Sequence, residues 1–202
     1  MTRSTPSPRF TPPKAWRFGG ILLLQLAIVL AVPFPKAITL ATGTTIALQT
    51  TPVDPYDILR GRYVTLGYEA ERVNTLKNLP GWNTRLQNRD RQSSLHPIYL
   101  ILEPVPDTSD TAPVQPWRPV AIAWTRPRNL TSPQLVIKGT YDTYYRSGNV
   151  DLGLGEYFIP EERGDVLEKD MEANRDAVFA EIKLDRRGNS ALVGLWVEDR
   201  NY

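Results

Sequence analysis

The sequence predicts a mainly β protein: an N-terminal single transmembrane helix, then one β-rich domain of about eight strands with one short helix. Three observations carry this expectation. The run Phe18 to Phe34, FGGILLLQLAIVLAVPF, holds no charge and one strongly polar residue, Gln25. Beyond it, apolar residues recur at every second position over short stretches, the period of half-buried strands. No later apolar run is long enough to span a membrane again.

Residues 1–15 combine four prolines with Ser, Thr and Arg. That composition offers too little apolar surface to offset the entropy of ordering, so a disordered, basic cytoplasmic tail is expected. A straight spanning helix needs roughly 20 apolar residues, slightly more than the run supplies. Trp16 and Phe34 can occupy the headgroup zones while Arg17 and Lys36 snorkel, which gives a transmembrane helix over residues 16–35. Arg3, Arg9, Lys14 and Arg17 precede the run without an acid. The positive-inside rule then keeps the N-terminus in the cytoplasm and puts residues 42–202 in a periplasmic or otherwise extracytoplasmic position. A cleaved secretory signal competes with the anchor, since Thr39 and Ala41 are spaced like a cleavage site. Pro33, Pro35 and Lys36 intervene between them and the apolar run and favour the anchor.

Four of the 24 basic residues precede the apolar run, leaving 20 against 22 acids from Lys36 onward. The exported part therefore has no basic excess with which to bind nucleic acid by counterion release. The absence of cysteine excludes a disulfide framework even in an oxidising compartment. Stability must come from packing, which one domain of this length can supply.

Thr44 to Thr51 reads as the first strand, and Arg62 to Glu69 as the second, with Val64, Leu66 and Tyr68 on one face and Tyr63 and Thr65 on the other. Ile98, Leu100 and Leu102 mark a third, Val120, Ile122 and Trp124 a fourth, and Leu135, Ile137 and Gly139 a fifth. Val178, Ala180, Ile182 and Leu184, followed by Ala191, Val193, Leu195 and Val197, form a C-terminal hairpin. Asp185 to Asn189 closes it, with Gly188 supplying positive φ. Asn74 to His96 and Pro104 to Pro119 read as long exposed connections. Pro160 to about Asn174 is the one helix, with proline and acids in its first turn and Gly164 as a weak point.

Between the first two strands, Asp54 can cap a single helical turn begun by Pro55, and Gly61 can end that turn in a left-handed conformation. Asp54, Pro55, Arg60, Gly61, Arg62, Tyr63, Leu66 and Tyr68 then set a corner and a register, with partner binding as the alternative role. In these residues the chain resembles the GDYXXLXY family of bacterial membrane-anchored proteins. Gly61, Tyr63, Leu66 and Tyr68 stand at the motif's fixed positions, and Arg62 replaces its aspartate, which argues against any role needing a carboxylate there. The resemblance extends from Pro52, Asp54 and Pro55 to Tyr157, Pro160, Glu161 and Gly164 in YFIPEERG, and covers most of the exported domain. It implies a membrane-anchored location and this architecture, and it brings no catalytic residue.

Candidate chemistry is sparse. His96 is the sole histidine, which excludes a His-rich metal site, and a Ser-His-Asp site would have to use it. It precedes Pro97 at a strand entrance, and no nucleophile motif accompanies it, so a surface position is expected. Residues 36–60 hold no serine for a membrane-proximal Ser-Lys peptidase. Glu161, Asp165, Glu168 and Glu172 fall near one helical face, but Arg163, Lys169 and Arg175 are interspersed and the acidic loop of calcium sites is absent. A solvated face is the expectation. The acids offer no preferred pair for glycoside cleavage. No cofactor, metal or catalytic residue is assigned.

Trp117, Trp124, Tyr141, Tyr144 and Tyr145, with Arg126, Arg128 and Arg146 nearby, are residue types that anchor interfaces and also fill strand faces. Tyr141, Tyr144, Tyr145 and Arg146 are the candidate interaction residues. The expected function is that of a membrane-anchored extracytoplasmic accessory or interaction protein without catalytic activity, partnered by the membrane and by an envelope or membrane protein. The alternatives are a module binding a cell-envelope glycan or small ligand, or an envelope hydrolase.

Overall fold

The computed structural model describes residues 15–52, 63–87, 94–106, 114–144, 148–159 and 161–202. The chain divides into two units, Met1–Ala37 and Ile38–Tyr202. Towards the N-terminus, α1 (Ala15–Ala31) and α2 (Phe34–Thr42) are separated at Val32 and Pro33. The single unbroken helix expected over residues 16–35 is thus two helices. Proline lacks an N–H and its ring clashes with the carbonyl four residues back, so Pro33 ends α1. Its own carbonyl instead accepts the Ala37 N–H at 2.9 Å to begin α2. No single helix is long and apolar enough to cross a membrane; Phe18–Ala31 and Phe34–Thr42 meet that test together as a bent pair.

The rest is mainly β, with ten strands among the described residues instead of about eight. They are β1 (Thr44–Pro52), β2 (Tyr63–Tyr68), β3 (Leu95–Pro104), β4 (Pro116–Ala123), β5 (Leu135–Asp142), β6 (Asn149–Asp151), β7 (Glu156–Phe158), β8 (Val178–Leu184), β9 (Ser190–Val197) and β10 (Arg200–Asn201). The main path runs β10-β9-β8-β1-β4-β3-β5-β6, with β1–β4 parallel and the other pairs antiparallel. Past Gln49, β1 leaves β8 and pairs with β2, whose other partner is β7. The sheet curls into a half-barrel. Its β8–β9 hairpin bends back on β5, where the Gly188 carbonyl accepts the Lys138 N–H at 2.8 Å.

That hairpin forms where it is expected, closed by the expected loop. The Asp185 carboxylate accepts the N–H groups of Arg187 and Asn189 at 2.7 and 2.9 Å, and Gly188 has φ of +88°. Burial works against ionisation of Asp185, but these bonds outweigh it and hold the carboxyl below its usual range. Two of the expected faces are shifted by bulges. Ile182 pairs with Leu192 and Glu181 with Gly194, so Val193 is the extra residue and turns outward, while Leu192 packs on the core. Val120 is likewise skipped between Ala121 and Pro119, and proline, which cannot donate to a ladder, is tolerated there.

One core joins most of these strands: Ile46 and Leu48 of β1, the β3 row Ile98, Leu100 and Leu102, Ala180 and Ile182 of β8, and Leu195 of β9 are buried together. The expected helix is α4, over Glu161–Ala173, and Leu167 fixes it to that core. Its far end is tied by Asp170, which meets Arg200 at 2.6 Å and accepts the Tyr202 hydroxyl.

The stretch Asn74 to His96 is no simple exposed connection. A short helix, α3 (Val73–Leu76), places Leu76 in the core, and a 3-10 segment, Trp82–Gln87, follows. The link between β3 and β4 is also shorter than expected, because β3 runs to Pro104 and β4 begins at Pro116. Gly81 makes the first fold-back fit: the Ile122 N–H donates to the Pro80 carbonyl at 2.8 Å, and a Cβ on Gly81 would stand 1.8 Å from the Ile122 carbonyl oxygen.

Gly81→Ala should therefore destabilise the domain by more than about 2 kcal/mol, combining positive φ with a backbone clash. Gly153→Ala, where φ is +70° and no atom lies within 4 Å of the new Cβ, should cost about 1 kcal/mol. Equal melting temperatures for the two variants would refute the close approach at Gly81.

Candidate functional site

The motif strand β2 builds the best-defined polar site. Alternation turns Val64, Leu66 and Tyr68 inward, and Tyr68 is 1 % exposed. The Leu66 N–H donates to the Gly155 carbonyl at 2.8 Å, and the Tyr68 hydroxyl donates to the Leu154 carbonyl at 2.9 Å. The Leu and Tyr of the motif thus clamp the segment between β6 and β7. Burial, with a smaller contribution from the Glu71 charge, pushes the Tyr68 phenol well above its usual range, so it stays a hydrogen-bond donor.

A single 3-10 turn, Glu69–Glu71, follows β2 and brings Glu71 back over it. The Glu71 carboxylate accepts the Tyr68 N–H at 3.2 Å and the Leu152 N–H at 2.9 Å. One side chain therefore ties the motif strand to the far side of the clamp. Burial pushes the Glu71 carboxyl up from 4.5 to about 7; the nearby Asp151 charge adds to this, while the two N–H donors oppose it. Glu69, its neighbour, is engaged by Arg72 at 2.9 Å on the surface.

A second constellation is aromatic. Trp82, Trp124 and Tyr141 meet edge to face in all three pairings, with centroids 5.3 to 5.8 Å apart. The Trp124 indole N–H donates to the Gly81 carbonyl at 3.0 Å. The trio closes the fold-back at Gly81 onto β4 and β5.

The model of the GDYXXLXY protein family matches residues 25–195. The chain belongs to the GDYXXLXY protein family. Comparisons with curated proteins and with solved structures return no match.

In this GDYXXLXY protein the expected site residues separate. Leu66 and Tyr68 are buried in the clamp, and Tyr63 pairs along the backbone with Phe158. Asp54, Pro55, Arg60, Gly61 and Arg62 lie outside the described residues, as do Tyr145 and Arg146. Tyr141 is buried within the aromatic trio, whereas Tyr144 is 82 % exposed, its N–H donating to the Asp142 carboxylate at 2.8 Å. His96 is half-buried in β3 opposite Tyr141. On α4, Glu168 and Glu172 are exposed, and Glu172 reaches Arg175 at 3.7 Å. Among the described residues no three His, Asp or Glu side chains are grouped to hold a metal ion.

Glu71 and Trp82 were not marked by the sequence pattern. A signal existed for each: Glu71 lies three residues after the last inward residue of β2, the spacing of a turn-closing carboxylate, and Trp82 follows Pro80-Gly81 in an otherwise polar stretch.

The folded Glu71 carboxyl binds its proton more tightly than the unfolded one, so its stabilising contribution is complete below about pH 4.5 and is lost as pH rises through about 7. At about 1.4 kcal/mol per pH unit, the upper bound on that loss is about 3 kcal/mol. Glu71→Gln should flatten the decline in melting temperature across this window. It should also cost about 1–2 kcal/mol, because its amide nitrogen faces one of the two N–H donors. Tyr68→Phe, which strips the hydroxyl from the Leu154 carbonyl, should cost about 1–3 kcal/mol at every pH. An unchanged pH slope in the glutamine variant would remove Glu71 as its source.

Proposed function

We propose that this GDYXXLXY protein is anchored in the membrane by its N-terminal apolar segment, carries its β-rich domain outside the cytoplasm, and acts there as a non-catalytic binding or support element for another envelope component. One observation carries the anchor. Phe18, Ile21, Leu22, Leu23, Leu24, Leu26, Ile28, Val29 and Leu30 are each more than half exposed, covering every side of α1. A helix that is apolar all round needs a core or a bilayer around it. The acid-free, basic sequence before it supports a cytoplasmic N-terminus.

Binding is favoured over catalysis by what the buried polar groups do. Glu71 and Tyr68, the groups with the largest upward shifts, are engaged in holding backbone segments together. Large aromatics, in contrast, face outward: Phe158 is 68 % exposed beside the motif strand, and Tyr144 is exposed as well. The glycan-binding alternative has less to stand on, because Tyr141 is enclosed by the two tryptophans.

In cells producing the full chain, the protein should resist alkaline extraction from membranes. Protease added from the extracytoplasmic side should digest the domain and leave an N-terminal tag intact. A photo-crosslinking residue at position 158 should yield a discrete protein adduct, absent when it is placed at position 153. Release of the intact chain by alkali, or protection of the domain from external protease, would overturn the topology. A topology that holds with no adduct from either position would overturn the binding role at Phe158.

A further inference from the structure

We propose that the end of the domain at the foot of α2 is a docking surface for anionic phospholipid headgroups, formed by Lys183, Arg186 and Arg187 of the β8–β9 hairpin with Arg126, Arg128 and Lys138. The proposal rests on the membrane-anchored reading above. Three chain segments meet there. Lys183 donates its ammonium to the Leu40 carbonyl at 2.7 Å, and Thr39 reaches the Asp185 carboxylate at 3.5 Å, which fixes the hairpin to α2. The Arg186 carbonyl accepts the Arg126 guanidinium at 3.0 Å, and the Gly188 carbonyl accepts the Lys138 N–H at 2.8 Å.

The charge gathered by these contacts is one-sided. Residues 124–138 hold Arg126, Arg128 and Lys138 and no acid, and residues 38–53 hold no acid either. Residues 182–190 hold three cations and one acid, Asp185, whose oxygens are occupied by the Arg187 and Asn189 N–H groups and the Asn189 amide. Six cations therefore outnumber the carboxylates around them in a domain whose total charge nearly cancels: Asp185, and the flanking Glu181 and Glu103, which accept the Trp196 indole N–H at 2.7 Å and the Gln134 amide at 2.8 Å. Five of the six are exposed, Lys183 is half-buried, and among the described residues none forms an ion pair. Guanidinium groups match the oxygens of a phosphodiester in fork geometry.

Position selects the ligand. Thr39 follows Phe34, the end of the apolar run, by five residues, a length of chain that reaches at most about 18 Å. The headgroup layer is roughly 5–8 Å thick on each side of the hydrocarbon, and the screening length in physiological salt is about 8 Å. The hairpin held at Thr39 and Leu40 is thus tethered on a length of chain comparable to the headgroup layer and the screening length together.

The test uses the full chain reconstituted in nanodiscs of phosphatidylcholine alone or mixed with phosphatidylglycerol, read by amide hydrogen exchange. Residues 124–130 and 183–190 should exchange more slowly in the anionic discs, and roughly 0.5 M salt, which shortens screening to about 4 Å, should abolish the difference. Each cation near an anionic surface contributes roughly fivefold to association, so Arg186→Gln with Arg187→Gln should reduce the lipid-dependent protection by up to roughly 25-fold. Unchanged protection of Ile98 to Leu102 verifies that this variant is folded. Arg126→Gln with Arg128→Gln, outside the hairpin, should act in the same direction. Equal exchange in the two lipids by an inserted chain, or protection that neither variant reduces, would overturn the docking surface while leaving the anchor standing. A chain that alkali strips from both kinds of disc would overturn the anchor and the proposal with it.

Discussion

Strand β1 has to satisfy three neighbours, and the domain depends on how it does so. Thr44 to Gln49 pair with β8, Ala47 and Leu48 are shared with β4, and the last three residues turn to β2. Buried backbone groups must find partners, so a strand that changes neighbours in the core needs something to cover the change. Thr50 supplies it: its buried hydroxyl donates to the Val178 carbonyl at 3.1 Å, where β8 begins and the β1–β8 ladder has ended. From this junction the half-barrel extends one way and the β2–β7 ribbon another.

The family motif is the ribbon's fastening. A two-stranded ribbon is marginal by itself and needs a packed face. Leu66 and Tyr68 supply that face, and their bonds to Gly155 and Leu154, with Glu71 reaching Leu152, hold the ribbon to the chain leaving β6. Position 62 lies outside the described residues, so the replacement of the motif's aspartate by Arg62 has no structural account. The observed uses of Leu66 and Tyr68 do not involve a carboxylate at that position.

Strand content was legible wherever alternation was uninterrupted. Ile98, Leu100 and Leu102, and the β8 row from Val178 to Leu184, face the core as their period demands. The pattern misled at Val193 and Val120, because a bulge moves the phase by one residue and a period of two cannot announce it. The fold-back through Leu76 and Trp82 was hidden for another reason. Its local composition is polar, and the bonds that hold it run to β4, more than forty residues away. The motif's buried residues were likewise readable, while Glu71 was not, since its importance comes from Leu152, a partner distant in sequence. Tyr141 and Tyr144 show the complementary limit: neighbours in composition, they end on opposite sides of the solvent boundary.

The contact between Gly188 and β5 bears on an open sheet edge. Beyond the reach of β6, which pairs only with Thr140 to Asp142, residues 135–139 of β5 have one edge turned away from β3. Such an edge is a template on which another chain can add a strand. The hairpin tip occupies that edge with its own carbonyl and brings Arg186 and Arg187 beside it. A glycine loop late in the sequence thereby caps part of the open edge of a strand about fifty residues earlier, and the backbone carbonyl it supplies is one that an added strand would otherwise have to provide.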